Sequence, residues 1–169
     1  NSRWYSGSGI YRDVNLWTGK GVYISHDKLR ITTLSVNDDM AVLEVCAQLK
    51  NIIGHGLEAE CLIEIKKDGQ KAASNTQRVV FRSEQMQTVR VQIPIEQPKK
   101  WSPAQPALYE CHITTRFDDE ICDEAVSNFG IRVLALDPVH GLQINGETVK
   151  LRGTCIHHDN GVIGAETFK

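Results

Sequence analysis

The stretch AVLEVCAQLKNIIGHGLEAECLIEIKK, residues 41–67, contains two runs in which every second side chain is apolar. The first apolar row begins at Ala41 and reaches Leu49, and the second begins at Leu57 and reaches Ile65. A period of two places alternate side chains on opposite faces of a β-strand. The stretch therefore predicts two β-strands, each with one apolar face directed into a core.

The same period continues along much of the remaining sequence. Further inward rows are predicted at Val79 and Phe81, at alternate positions from Val89 to Ile95 and from Tyr109 to Thr115, and at Phe129, Ile131 and Val133. Turn-forming residues separate several rows, as at Asn37-Asp38-Asp39, Lys67-Asp68-Gly69 and Phe117-Asp118-Asp119. Roughly seven or eight short strands predict an all-β fold, an immunoglobulin-like antiparallel β-sandwich. A closed barrel is the alternative that periodicity leaves open.

Five cysteines are scattered through the sequence: Cys46, Cys61, Cys111, Cys122 and Cys155. None forms a Cys-x-x-Cys pair, so no metal or redox site is predicted. Tyr109 precedes Cys111 by two residues, the spacing of a tyrosine corner, whose cysteine would pair with Cys46 in a disulfide. The outward phase of Cys46 argues against that bond. Cys61 and Cys111 share the inward phase, and we expect both to be buried free thiols.

The bulk composition is that of an ordinary globular protein, with 41% hydrophobic and 24% charged residues. A formal net charge of -2 provides no basic surface, so no nucleic-acid partner is predicted. The apolar runs are far shorter than the ~20 residues of a membrane span, so no membrane partner is predicted. The sequence indicates no cofactor and assigns the protein to no cellular compartment.

The pattern changes after Leu134. Leu136-Asp137-Pro138 predicts the end of a strand, and Asn145-Gly146 predicts a hairpin turn. A further apolar strand is predicted from Val149 to Ile156, and it ends in the polar residues His157-His158-Asp159.

Three stretches carry a family resemblance. They are Ser2-Arg3-Trp4-Tyr5-Ser6-Gly7-Ser8-Gly9-Ile10-Tyr11-Arg12-Asp13-Val14, then Trp101-Ser102-Pro103 with Pro106, Leu108 and Tyr109, and finally Phe129-Gly130-Ile131-Arg132 with Asn145-Gly146, Leu151-Arg152-Gly153 and His157-His158-Asp159. In this order and at these distances they resemble glycoside hydrolase family 2, which includes β-galactosidases, β-glucuronidases and β-mannosidases. The β-galactosidase-like branch is the most similar.

The resemblance implies that the chain is an interior part of a multidomain enzyme. Residues 1–17 are expected to be the tail end of an N-terminal jelly-roll sugar-binding domain, and residues 18–135 the sandwich domain. Residues 136–169 are expected to be the hairpin and first strand of a truncated (β/α)8 catalytic barrel. The flanking domains and a carbohydrate substrate are the implied partners, and a homo-oligomer is compatible with them. Some family members also use a divalent metal, for which this sequence shows no ligand set.

The activity implied by the resemblance is hydrolysis of a terminal β-linked sugar with retention of configuration. Family members place both catalytic carboxylates on later barrel strands, so this chain is expected to contain no catalytic residue and to be inactive alone. His157 and Asp159 match family positions that contact the sugar. They also follow the carboxyl end of a predicted strand, where barrel enzymes place their active sites. We therefore predict that His157 and Asp159 bind substrate.

Two other interpretations compete with this one. A stand-alone carbohydrate-binding or adhesive sandwich module would have no use for the barrel-entry segment, Leu151–Ala165. A catalytic dyad inside the sandwich would need carboxylates that are buried or paired. Glu58, Glu60 and Glu64 instead alternate with an inward apolar row and are expected to face water. We expect Trp101 to fix the approach to the strand at Tyr109 rather than to stack on a sugar.

Overall fold

The computed structural model describes Ile10, residues 13–82 and residues 85–155. The chain divides into two compact units, of which one is Thr18–Val149 and the other combines Asn1–Trp17 with Lys150–Lys169. The described residues of the second unit form neither helix nor strand. The assignment of residues 136–169 to a catalytic barrel stays a prediction.

Antiparallel strands make up most of the first unit. They are β1 (Val22–Ile24), β2 (Arg30–Val36), β3 (Met40–Asn51), β4 (Leu57–Lys67), β5 (Gln70–Phe81), β6 (Met86–Glu96), β7 (Tyr109–Phe117), β8 (Glu120–Phe129), β9 (Leu134–Asp137), β10 (Gly141–Ile144) and β11 (Glu147–Thr148). One turn of 3-10 helix, His26–Lys28, lies between β1 and β2. The predicted all-β, antiparallel fold class is confirmed.

Two sheets form the sandwich. In the first, β6 pairs with one edge of β3, while β1 and β2 follow one another along the other edge, opposite Leu49–Asn51 and Ala41–Cys46. The second sheet has the order β5-β4-β7-β8. Among the described residues no strand of one sheet pairs with a strand of the other, so the closed-barrel alternative is wrong. A third, separate sheet has the order β11-β10-β9.

The core lies between the inward faces of the two large sheets. Both rows predicted within residues 41–65 are buried, and so are those at Val79 and Phe81, at 89–95 and at 109–115. Leu43 and Ile63 are fully buried, and Ile93 is 2% exposed. Burying one such side chain contributes ~1.5–3 kcal/mol to folding. The alternating pattern thus supplies the apolar area that holds the sheets together.

The last predicted row is correct only in part. Ile131 is fully buried, but Phe129 is half-buried and Val133 is 38% exposed. The row fails because β8 ends at Phe129, and Ile131 then forms only an isolated bridge with Lys100. Without a continuing strand, the alternation no longer determines which side chains face the core.

The buried thiols and the tyrosine corner follow the sequence expectation. Cys61 and Cys111 are buried and free, whereas Cys46 is half-buried and free. Burial raises the pKa of each buried thiol to about 12. The hydroxyl oxygen of Tyr109 accepts a hydrogen bond from the backbone N–H of Lys99 at 2.9 Å. The Tyr109 ring also stacks on Phe129, with centroids 5.8 Å apart. The corner therefore holds the chain that enters β7.

Candidate functional site at the joint between sandwich and hairpin

The predicted substrate-binding residues, His157 and Asp159, lie outside the described residues, and their role stays a prediction. Most of the first motif, Ser2–Val14, also lies outside them. The second motif and the larger part of the third lie within the described chain. These two motifs meet where the sandwich passes into the small sheet of β9, β10 and β11.

The hairpin of β10 and β11 has the turn that the sequence predicts. Asn145 and Gly146 have φ angles of 53° and 84°. Two successive positive φ angles are those of a type I′ turn, for which Asn-Gly is the preferred pair. Strand β9 ends at Asp137, where the strand break was predicted. The hydrogen bonds that Asp137 accepts from the backbone N–H groups of His140 and Val139 lower the pKa of its carboxyl.

Asn145 connects the hairpin to two other segments. Its side-chain Nδ2 donates to the carbonyl oxygen of Trp101 at 3.0 Å, and its Oδ1 accepts from the N–H of Val133 at 3.0 Å. Its own backbone N–H donates to the carbonyl oxygen of Val133 at 2.9 Å. A residue at a hairpin tip thus bonds to the strand-entry segment at Trp101 and to the chain just after β8.

Trp101 is itself held against the chain that leaves β8. The backbone N–H of Trp101 donates to the carbonyl oxygen of Ile131 at 2.8 Å. A Cβ placed on Gly130 would lie 2.7 Å from Cγ of Trp101, so only glycine permits this approach. The guanidinium carbon of Arg132 lies 4.4 Å from the Trp101 ring centroid, within cation–π distance. Trp101, Gly130, Arg132 and Asn145 therefore form one packed cluster, which we call the joint.

The expectation that Trp101 fixes the approach to β7 agrees with these contacts. Strand periodicity does not predict that the Trp101, Gly130–Arg132 and Asn145-Gly146 motifs meet at one place. The family pattern includes all three motifs, but it does not indicate which of their residues are in contact. The contact of Arg132 with Trp101 had no signal in strand periodicity.

The three carboxylates of β4 face outward, as predicted. Glu58 and Glu60 are exposed, and Glu64 is half-buried on the same outer face. Oxygen atoms of Glu64 lie 3.8 Å from Nζ of Lys66 and 3.7 Å from Nζ of Lys71. Such ion pairs at a protein surface contribute ~0–1 kcal/mol each. Their arrangement is that of a solvated sheet surface with alternating charge.

The described part of the chain also contains no group of three His, Cys, Asp or Glu side chains placed to hold a metal ion. No helix formed by the described residues is long and apolar enough to cross a membrane.

These observations define a class of domain. It is an antiparallel sandwich that is followed, through the joint, by a hairpin. A sequence profile of Glycosyl hydrolases family 2 matches residues 22–132, and the chain belongs to this family. The family resemblance noted from the sequence is thereby confirmed.

Individual relatives match over nearly the whole chain. Beta-galactosidase BoGH2A of Bacteroides ovatus is 31% identical over 98% of this chain and 20% of its own length. Beta-glucuronidase of Bacteroides fragilis is 28% identical over 92% of this chain and 23% of its own length. The crystal structure of a family 2 member from Bacteroides cellulosilyticus is 31% identical, with a TM-score of 0.87 over 99% of this chain and 23% of that one. The chain thus spans about a fifth of the length of these relatives.

Proposed function

We propose that this chain is the non-catalytic sandwich region of a retaining β-glycosidase, and that a larger parent protein hydrolyses O-glycosidic bonds in carbohydrates. One observation carries the proposal. The family match, residues 22–132, begins at the first residue of β1 and ends at Arg132, just beyond β8. The sandwich is therefore the part of this chain that carries family membership.

The chemistry of a retaining glycosidase supports a structural role for the sandwich. Such an enzyme needs two carboxyl groups about 5–5.5 Å apart, one as acid and base and the other as nucleophile. The outward carboxylates of Glu58 and Glu64 lie beside the cationic groups of Arg78, Lys66 and Lys71. We assign the catalytic pair to the barrel of the parent protein and propose no catalytic residue and no cofactor for this chain.

His157 and Asp159 are proposed to bind the sugar in the parent protein. An imidazole and a carboxylate can both hydrogen-bond sugar hydroxyls, and such bonds accelerate the reaction when they strengthen in the transition state. Residues 1–17 are proposed to belong to a jelly-roll domain, residues 18–135 to the sandwich and residues 136–169 to the start of the barrel.

The stand-alone module is the competing function, and one observation bears on it. The sheet of β9, β10 and β11 extends neither sheet of the sandwich. A self-contained module would gain stability by using these strands as a sandwich edge, whereas a sheet of their own suits a segment that leads into another domain.

The proposal is tested by hydrolysis of a panel of aryl β-glycosides that includes the galactoside, glucuronide and mannoside. The chain of 169 residues is assayed beside the full-length protein that contains it. Activity of the full-length protein alone would support the proposal and identify the sugar. Hydrolysis by the short chain, or its binding to sugars with no hydrolysis by the longer protein, would contradict it.

A further inference from the structure

Asn145 is the one asparagine of the described chain that a glycine follows, and this pair can react with itself. The backbone nitrogen of Gly146 loses its proton and attacks Cγ of the Asn145 side chain. The new N–Cγ bond closes a succinimide ring, and the Cγ–Nδ2 bond breaks to release ammonia. Water then opens the ring to aspartate or isoaspartate. Glycine favours the attack because no side chain shields its nitrogen.

The native structure holds the reacting atoms apart. In a type I′ turn the first central residue has a ψ of about +30°, which directs the next nitrogen away from Cβ. The leaving group, Nδ2, donates to the carbonyl oxygen of Trp101 at 3.0 Å, and Oδ1 accepts from the N–H of Val133 at 3.0 Å. Ring closure needs Cγ and the Gly146 nitrogen on the same side, so the turn and both side-chain bonds must open first.

The products of the reaction do not fit the joint. An aspartate at this position replaces the Nδ2 donor by an oxygen, which would face the carbonyl oxygen of Trp101 with no proton between them. Isoaspartate adds a methylene to the backbone and changes the spacing of the turn. Trp101 has little freedom to adjust, because it bonds to the fully buried Ile131 and packs on Gly130, where no side chain would fit.

We propose that Asn145 is a deamidation site that the joint keeps closed, and that its modification permanently releases the hairpin of β10 and β11 from the sandwich. The reaction becomes possible only while the hairpin is detached, because Cγ and the Gly146 nitrogen then meet. Water is the co-reactant and ammonia the by-product. The modification therefore records openings of the joint and prevents it from closing again.

Peptide mapping of the full-length protein measures the reaction at this residue. Trypsin cuts after Arg132 and Lys150, and the peptide 133–150 has Asn145 as its one asparagine. Fragmentation separates its deamidation from that of Gln143. The protein is incubated at mildly alkaline pH, once in native buffer and once in guanidinium chloride. We expect the native rate to be about tenfold or more below the denatured rate. Equal rates would overturn the proposal.

Amide hydrogen exchange of Val133 measures the opening of the joint independently, because its N–H is released when Oδ1 of Asn145 moves away. Both reactions are compared with their rates in the denatured protein. Deamidation should be slowed at least as strongly as the exchange of the Val133 amide. Deamidation that is slowed less than this exchange would mean that the attack occurs in the closed joint, which would contradict the proposal.

Gly130→Ala loosens the joint, since the added Cβ would lie 2.7 Å from Cγ of Trp101. Gly56→Ala is the matched control, because its Cβ would lie 3.1 Å from the carbonyl oxygen of Phe81, outside the joint. Gly130→Ala should speed native deamidation about fivefold or more, and Gly56→Ala should stay within about twofold of the parent. Equal acceleration in both would assign control to general stability and overturn the role of the joint. If Gly130→Ala does not fold, the two comparisons on the parent protein decide.

Asn145→Asp reproduces one product, and Asn37→Asp is its control. The side-chain bonds of Asn37 are accepted by Oδ1, from the N–H groups of Asp39 and Met40 at 2.9 and 2.7 Å, so a carboxylate keeps both. Each variant adds the same charge. The Val133 amide should exchange about tenfold faster in Asn145→Asp and at the parent rate in Asn37→Asp. Unchanged exchange in Asn145→Asp would show that the joint survives deamidation, and the proposed release would be wrong.

Discussion

At the scale of single residues, a few polar side chains provide hydrogen bonds that the strand ladders leave open. Among the strands that the structure describes, β1 pairs with β3 alone, yet Asp123 and Thr115 connect it to the second sheet. Oδ2 of Asp123 accepts from the N–H of Ile24 at 2.8 Å, and Oγ1 of Thr115 donates to the carbonyl oxygen of Val22 at 2.7 Å. Thr115 is fully buried, so its bond is shielded from water. These two side chains close one side of the sandwich.

Replacing Asp123 with alanine should lower the free energy of unfolding by about 2 kcal/mol, because it leaves the Ile24 N–H without its acceptor. Urea denaturation of the chain measures the change as a lower midpoint at an unchanged slope. The control is Asp27→Ala, since the Asp27 side chain is 74% exposed and pairs with Lys28 at the surface. Equal midpoints for the two variants would show that the Asp123 bond does not contribute.

Substituting His157 or Asp159 with alanine in the full-length protein should reduce kcat/KM about tenfold or more, since each change removes a proposed bond to a sugar hydroxyl. Steady-state kinetics on the sugar identified by the glycoside panel measures the loss. The thermal midpoint serves as the folding control and should stay near that of the parent. Unchanged kinetics in both variants would refute the assignment.

At the scale of elements, the hairpins differ in how well their turns suit their residues. Two turns place glycine at the second central position, Gly69 and Gly146, which adopts positive φ without strain. The turn between β7 and β8 has Asp118 and Asp119 at its two central positions, with φ angles of 54° and 61°. Aspartate tolerates the left-handed region better than most residues, but less well than glycine. This turn therefore contains strain that the other two avoid.

Asp119→Gly should stabilise the chain by about 0.5–1 kcal/mol, because glycine relieves the left-handed strain and the exposed aspartate contributes little packing. Thermal unfolding measures this as a higher midpoint. Asp119→Ala is the matched control and should lower the midpoint, since alanine is strained at that φ without the tolerance of aspartate. A lower midpoint for Asp119→Gly would contradict the argument.

At the scale of the whole molecule, stability depends on keeping the two sheets closed over one core. Cys61 on β4 and Cys111 on β7 both point into that core and are fully buried. Desolvation raises the pKa of both thiols to about 12, so they stay protonated in the folded protein. The two thiols therefore report on closure of the sandwich as a whole, whereas Cys155 is exposed.

Iodoacetamide at pH 8 should modify Cys155 readily and leave Cys61 and Cys111 unmodified until the chain is denatured, because the reagent needs an accessible thiolate. Mass spectrometry of digests identifies the modified residues. Burial raises the pKa of the two buried thiols above the ordinary thiol value of 9.0. Their contribution to stability is therefore complete below pH 9.0 and declines as the pH rises toward 12. Labelling of either buried thiol in the native chain would contradict the predicted closure.

The features that depend on local order could be predicted from the sequence. The period of two predicted which side chains enter the core, because alternate residues of a strand must lie on opposite faces. The same phase argument separated Cys46 from Cys61 and Cys111. Asn145-Gly146 predicted its hairpin, because few residue pairs accept two positive φ angles. The family motifs placed the chain in its family before any contact was known.

Which elements meet depends on contacts between distant parts of the chain. The choice of sandwich over barrel, and the shared edge of β3 for β1 and β2, depend on pairings between distant strands that a period does not encode. Val133 was misassigned for the same reason, since its direction follows from where β8 stops. The joint brings together Trp101, Gly130, Arg132 and Asn145. Asn145 and Trp101 are 44 positions apart in the sequence. Such contacts form only when the whole chain has closed, because side-chain packing selects partners by position in space and not by distance along the chain.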